Sequence, residues 1–257
     1  MSIFHVDPRF VVSGLFGGFA IGLTGMGGGA ILTPLLLALG VPPSTAIGSD
    51  LVASLVMKPV AGSVHARART VRWDLVRWLS LGSVPAAVLG VAVSRQLTRH
   101  GDAGLRRAIG AALILAAAGM IVRSVRARRH PVGAPGVTVL RRAPTVALGV
   151  VGGFLVGLTS VGSGSLMVVA LAILYPKLES SELVGTDLVQ AIPLVAAAAL
   201  GHVVIGDFTV SLTLALLIGG IPGAYAGARL SAGSARRYVR PALLTVLVAS
   251  ATKLLLA

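Results

Sequence analysis

Apolar residues run through this chain in long continuous blocks, and charged residues collect between the blocks. Most blocks are about 15 to 22 residues long, against the roughly 20 that a helix needs to cross a hydrocarbon core of about 30 Å. Ser44 to Val64, Trp73 to Val93 and Ala103 to Val122 read as full spans, with Trp73 and Trp78 in an interfacial belt and Pro85 as a kink. Phe10 to Thr24 and Ala30 to Leu39 are shorter, about 15 and 10 residues, and fall short of the far face at 1.5 Å per residue. They predict a helical hairpin that dips to mid-membrane and returns. Its tip is the turn Gly22-Leu23-Thr24-Gly25-Met26-Gly27-Gly28-Gly29. Pro42-Pro43-Ser44 then opens the next helix, with Ser44 as its N-cap.

The pattern then repeats. A second turn, Gly157-Leu158-Thr159-Ser160-Val161-Gly162-Ser163-Gly164, is followed by the apolar segment Ser165 to Leu174. Gly48-Ser49-Asp50-Leu51-Val52 and His65 return 137 residues later as Gly185-Thr186-Asp187-Leu188-Val189 and His202. Gly82, Pro85 and Gly90 return at the same spacing as Gly219, Pro222 and Gly227, while Gly22 and Gly157 lie 135 apart, which places a two-residue insertion near Tyr175-Pro176-Lys177-Leu178. So many special residues in one register indicate an internal duplication. The expected fold is an all-α membrane protein of two repeats, each a short helical hairpin plus three transmembrane helices, about 10 helical segments in all. An odd number of full crossings per repeat makes the copies face opposite ways, an inverted repeat. The division reads as a first repeat at 1–122, a basic linker at 123–142 holding six arginines, and a second repeat at 143–257.

Composition agrees with a bilayer as solvent: 55% hydrophobic, 12% charged and a mean hydropathy of +0.92 over 257 residues. The net charge of +14 suits a nucleic-acid binder in size but not in distribution, because the arginines lie at the ends of apolar blocks, where they set orientation and meet anionic lipid. Arg67, Arg69 and Arg72, the linker, and Arg229, Arg236, Arg237 and Arg240 mark one side; Arg95, Arg99, Arg106 and Arg107 mark the other. The richer side reads as cytoplasmic, with both termini outside. Cysteine is absent, which excludes disulfides, thiolate catalysis and sulfur-ligated metal, and no metal or cofactor set is evident. Asp7 and Arg9 before the first block, without a small-residue cleavage pattern, argue against a cleaved signal peptide.

Polar backbone at membrane depth is tolerated where protein buries it or where it lines a wet cavity, so paired glycine turns in apolar sequence suggest a binding site. If the hairpins enter from opposite faces, Gly25, Gly27, Gly28 and Gly29 meet Gly162, Ser163, Gly164 and Ser165 near the middle. There, bare N–H groups and helix N-termini favour an oxyanion. Thr24, Thr159, Ser160 and the neighbouring Ser49 and Thr186 add hydroxyls. The competing reading is that these glycines only allow close helix packing.

Asp50 and Asp187 lie inside spans, where a charge costs a few kcal/mol. They read either as coupling groups that carry a proton past an anion or as helix-terminal caps beside Ser49 and Thr186. Lys58, whose equivalent is Val195, either snorkels or lends a positive charge to the substrate path; eight residues, about 12 Å of helix, make a direct pair with Asp50 doubtful. His65 and His202 read as C-terminal dipole partners or as gating groups. Gly162-Ser163-Gly164 with His202 hints at a serine protease, but the first turn has no serine, and Gly25-x-Gly27 lacks the strand and acidic residue of a dinucleotide site.

The duplicated turns, the Gly48-Ser-Asp-Leu and Gly185-Thr-Asp-Leu openings, the two histidines, and Gly82-x-x-Pro85 with Gly219-x-x-Pro222 together resemble the sulfite exporter TauE/SafE family over residues 10 to 256. That resemblance implies an exporter of sulfite, sulfoacetate or a similar sulfur oxyanion in a bacterial inner membrane. Asp50 and Asp187 stand where serine is commoner in that family, so its anion-binding role is not carried onto them. The expected protein is a secondary transporter, not an enzyme, working by alternating access with a small anion and membrane lipid as partners and no nucleic acid. A homodimer remains open, and the alternative is a membrane scaffold or sensor.

Overall fold

A computed structural model of the chain describes residues 7–24, 28–99, 101–129 and 140–231. These form α1 (Pro8–Thr24), a 3-10 turn at Gly28–Ala30, α2 (Leu32–Ala38), α3 (Pro43–Arg67), α4 (Trp73–Arg99) and α5 (Asp102–Arg129). After the linker come α6 (Arg142–Thr159), α7 (Ser165–Leu174), α8 (Ser180–Ile205) and α9 (Val210–Ser231). The protein is all-α, and five of these helices, α3, α4, α6, α8 and α9, are long and apolar enough to cross a membrane. Residues 130–139 of the linker lie outside the described residues. So does 232–257, which holds Arg236, Arg237, Arg240 and the span expected to close the second repeat.

The hairpins have the unequal arms expected and differ in one respect: the first arm of the second, α6, is long and apolar enough to cross. α1 has 17 residues and α6 has 18, so each rises about 25 to 27 Å. The return arms are short, 7 residues in α2 and 10 in α7, about 10 and 15 Å. The first arms gain length because they begin in polar sequence, at Pro8-Arg9 and at Arg142, outside the purely apolar run. α3 starts one residue before Ser44, with Pro43 at the first helical position, where its missing N–H costs nothing.

Two seams of small residues bind the halves. α1 runs parallel to α9, and a Cβ on Gly14, Gly18 or Gly22 would collide with the carbonyl of Leu216, Gly220 or Ala224. α6 repeats this against α4, with Gly149, Gly153 and Gly157 facing Leu79, Ser83 and Ala87. Glycine every fourth residue lets two helix backbones touch. Each half's first helix therefore packs on the other half, and the two halves interlock.

At the centre, α3 and α8 run antiparallel. Gly48 abuts the Asp207 carbonyl at one end, Gly62 faces Val189 and Ile192 in the middle, and Gly185 abuts Thr70 at the other. Buried Ile47, Leu51, Leu194, Val195, Ala198 and Ala199 fill the contact. Phe16, Leu81, Leu89, Val151, Leu200 and Val204 point outward, as suits helices solvated by lipid.

Candidate functional site

The second turn is shaped by left-handed backbone. Ser160 ends α6 at φ 58°, and Gly162 and Gly164 follow at φ 125° and 101°. A right-handed helix cannot continue through such residues, and glycine adopts them without a Cβ clash. The chain reverses there, and α7 begins at Ser165.

The first turn reaches the same place from the other half. A Cβ on Gly29 would strike the main chain of Ser160, and one on Gly28 would press on Asp50 Oδ1 at 2.7 Å and Ser54 Oγ at 2.9 Å. The turns thus touch in the interior, with α3 beside them. Gly25 and Gly27 lie outside the described residues, as does the side chain of Ser165.

A buried polar cluster lies at this meeting point. Thr33 on α2 donates to Asp50 Oδ2 at 3.2 Å and is bonded to Ser160 Oγ at 2.6 Å, while Ser54 donates to Asp50 Oδ1 at 3.3 Å. Lys58 Nζ reaches across to donate to Ser163 Oγ at 2.9 Å. Its ammonium interacts electrostatically with Asp187 and with Asp50. On α8, Gln190 donates to Asp187 Oδ1 at 3.3 Å, with Ser83 of α4 behind it. The Gly164 N–H interacts with the same carboxyl, yet Asp187 Oδ2 has no partner at hydrogen-bonding distance. Asp50, Lys58 and Asp187 are at most 1% exposed, so three ionisable groups share a site sealed from solvent. Groups of this kind persist at membrane depth where they are paired and used.

Asp50 sits in the body of α3 and is held by side chains from α2 and α3, so neither it nor Asp187 is a helix cap. Lys58 does not snorkel; its head is bound inside. Thr33, Ser54, Gln190 and Ser83 join the cluster without having been anticipated from sequence. The available signal was weak: isolated polar residues on apolar helices, with Ser54 and Gln190 one turn after their aspartates.

Other anticipated residues lie apart. Ser49 accepts the Thr209 N–H at 3.2 Å and Thr186 accepts the Arg72 N–H at 3.0 Å, so each ties its helix to the loop ahead of α9 or α4 in the opposite direction across the seam. Thr24 and Thr159 donate to the carbonyls of Ala20 and Leu155 within their own helices. His65 Nδ1 contacts Thr70 Oγ1 at 3.0 Å in the last turn of α3. His202 pairs with Asp207 at 3.2 Å and with the Gly157 carbonyl at 3.0 Å, linking the α8 end to the base of the second turn.

A family model described as "Sulfite exporter TauE/SafE" matches residues 10–254. The "Probable membrane transporter protein YjnA" of Bacillus subtilis is 37% identical over 255 residues, 97% of this chain and 100% of that relative. The "Probable membrane transporter protein YunE" of the same organism is 26% identical over 250 residues, covering 88% of each chain. No solved structure matches the chain significantly.

Proposed function

Because the chain belongs to the sulfite exporter TauE/SafE family, and is thereby a multi-pass membrane transporter, we propose that its cargo is a small sulfur oxyanion or organosulfonate of the sulfite or sulfoacetate type. The observation that carries this reading is the contact of the two glycine turns around Lys58, a fully buried ammonium bonded to Ser163. An oxyanion entering there meets one fixed positive charge, the hydroxyls of Ser160, Ser163 and Thr33, and glycine backbone that lets it approach closely. α7 adds the positive end of its dipole at Gly164.

Transport is by alternating access and runs on the substrate's own gradient or an ion gradient, with one of the two buried carboxyls, Asp50 or Asp187, as the coupling group and His65 and His202 at the two ends as gates. Support comes from α3 and α8: equivalent segments packed antiparallel are what inverted repeats place around a central site. The bacterial inner membrane, with both termini outside, fits the arginine distribution.

The test is counterflow of labelled sulfite and sulfoacetate in proteoliposomes. Wild type exchanges label, and Ser163→Ala slows exchange about tenfold, as expected for loss of a hydrogen bond to a charged group. Folded wild-type protein that exchanges neither anion would leave the glycines to serve packing in a scaffold.

A further inference from the structure

The two buried carboxyls hold equivalent places in the duplicated chain, but their surroundings are not equivalent. Asp50 has a hydroxyl on each oxygen, from Ser54 and from Thr33. The second half puts Ala191 and Val168 at those two positions. Asp187 therefore has no hydroxyl partner; the Gln190 amide donates to Oδ1, the Gly164 N–H interacts with the carboxyl, and among the described residues its buried Oδ2 has no hydrogen-bond partner. Such an oxygen is unfavourable unless it takes a proton or faces a cation. The nearby cation is Lys58, whose ammonium interacts electrostatically with Asp187 and is held by the second turn through Ser163. Among the described residues, the charged groups facing this pair are Asp50 and Lys58 from α3 and Asp187 from α8, and α2, α4 and the turns contribute the neutral Thr33, Ser83, Ser160 and Ser163.

We infer that Lys58 and Asp187 form an exchange pair, in which a sulfonate binds at the Lys58 ammonium while Asp187 takes up one proton on Oδ2. One proton thus accompanies each sulfonate, and Asp50 holds α2 to α3. The inference deepens the transport reading of this site and rests on it. Charge balance supplies the reason. With Asp50 unchanged, the proton on Asp187 offsets the one negative charge that a monoanionic sulfonate brings, so loading leaves the net charge of the site as it was; without the proton an extra negative charge would be sealed in a low dielectric. The O–H bond formed on Oδ2 breaks on the far side, where the sulfonate leaves and the proton passes to water.

The full chain in proteoliposomes, with a trapped pH dye and methanesulfonate, tests this, because methanesulfonate is a monoanion that does not titrate near neutral pH. Wild type should move one proton per methanesulfonate. In Asp187→Asn the ratio of protons to methanesulfonate, whatever the rate, should fall about tenfold or more, within the range of ordinary site coupling. In Asp50→Asn the ratio should match wild type in whatever folded protein is obtained. A wild-type ratio in Asp187→Asn, or a lost ratio in Asp50→Asn, overturns the inference. Should Asp187→Asn fail to fold or to move substrate, unbuffered wild-type protein in detergent decides: added methanesulfonate must withdraw one proton from solution, and no withdrawal overturns the inference. Counterflow without proton movement in wild type refutes the exchange pair alone, whereas absence of counterflow refutes the transport reading itself.

Discussion

The two halves share their backbone contacts and differ in their polar ones. Gly22 abuts the Ala224 carbonyl and Gly157 the Ala87 carbonyl, equivalent contacts seen from opposite halves. Yet Lys58 faces the second turn from α3, while its equivalent on α8, Val195, is an apolar core residue. The turns diverge too, since Gly28 stands where the second half has Ser163. Tyr175 makes a further difference. Buried beneath α6, it bonds to Thr145 and the Arg141 carbonyl and packs with Leu75 and Leu178. The equivalent place in the first half is a cleft of about 220 Å³ lined by Phe10, Val41 and Leu212. A duplicated scaffold therefore keeps its two-fold packing where helices must fit and loses it where charge and access are set. A strictly symmetric site would hold two ammonium groups or none; among the described residues this one holds one cation, from the first half, bound by a hydroxyl from the second.

The largest expected effect breaks the charge asymmetry. Lys58→Met strands the buried carboxyls and should cost about 3–5 kcal/mol, whereas Val195→Met, overpacking of the apolar core at the equivalent position, should cost about 1–3 kcal/mol. Thermal unfolding in detergent measures both, and Lys58→Met combined with Asp187→Asn should recover most of the loss. Equal losses at the two positions would mean that the ammonium is not paired inside.

The next effect sharpens the symmetry. Gly22→Ala and Gly157→Ala each drive a methyl into a carbonyl of the other half and should destabilise by similar amounts, about 1–3 kcal/mol. Gly40→Ala meets no atom and suffers only from its φ of 86°, so about 1 kcal/mol is expected. A large difference between Gly22 and Gly157 would show that the seams are not equivalent.

The smallest effect concerns access. The chain has no cysteine, so single thiols report cleanly. Leu212→Cys at the cleft should react with a water-soluble maleimide about tenfold faster than Leu75→Cys beneath Tyr175, because thiol reactivity follows exposure. Adding Tyr175→Ala should close that gap, and equal rates without it would remove Tyr175 as a plug.

Much of this organisation was legible in the residues. Block lengths gave the spans, the 137-residue register gave the duplication, and Asp50 and Asp187 stood out because charge inside a span is rare. The first arms of the hairpins reach further than an apolar count suggests because α1 and α6 start in polar residues that such a count leaves out. The partner of Lys58 was not legible at all: Ser163 lies 105 positions away, and helical spacing relates a residue only to neighbours on its own helix. Thr33 and Gln190 were missed for the same reason, being ordinary polar residues until another helix is set against them.

Sequence alone thus determined a helical membrane protein built from two copies with paired glycine turns, because hydropathy and repetition are properties of the chain taken one residue after another. Only the tertiary structure decided that the turns touch, that one lysine serves both halves, and that one of two equivalent aspartates keeps an oxygen free. Those facts depend on which helices the glycine seams bring together, and contact across a seam is written in no local pattern.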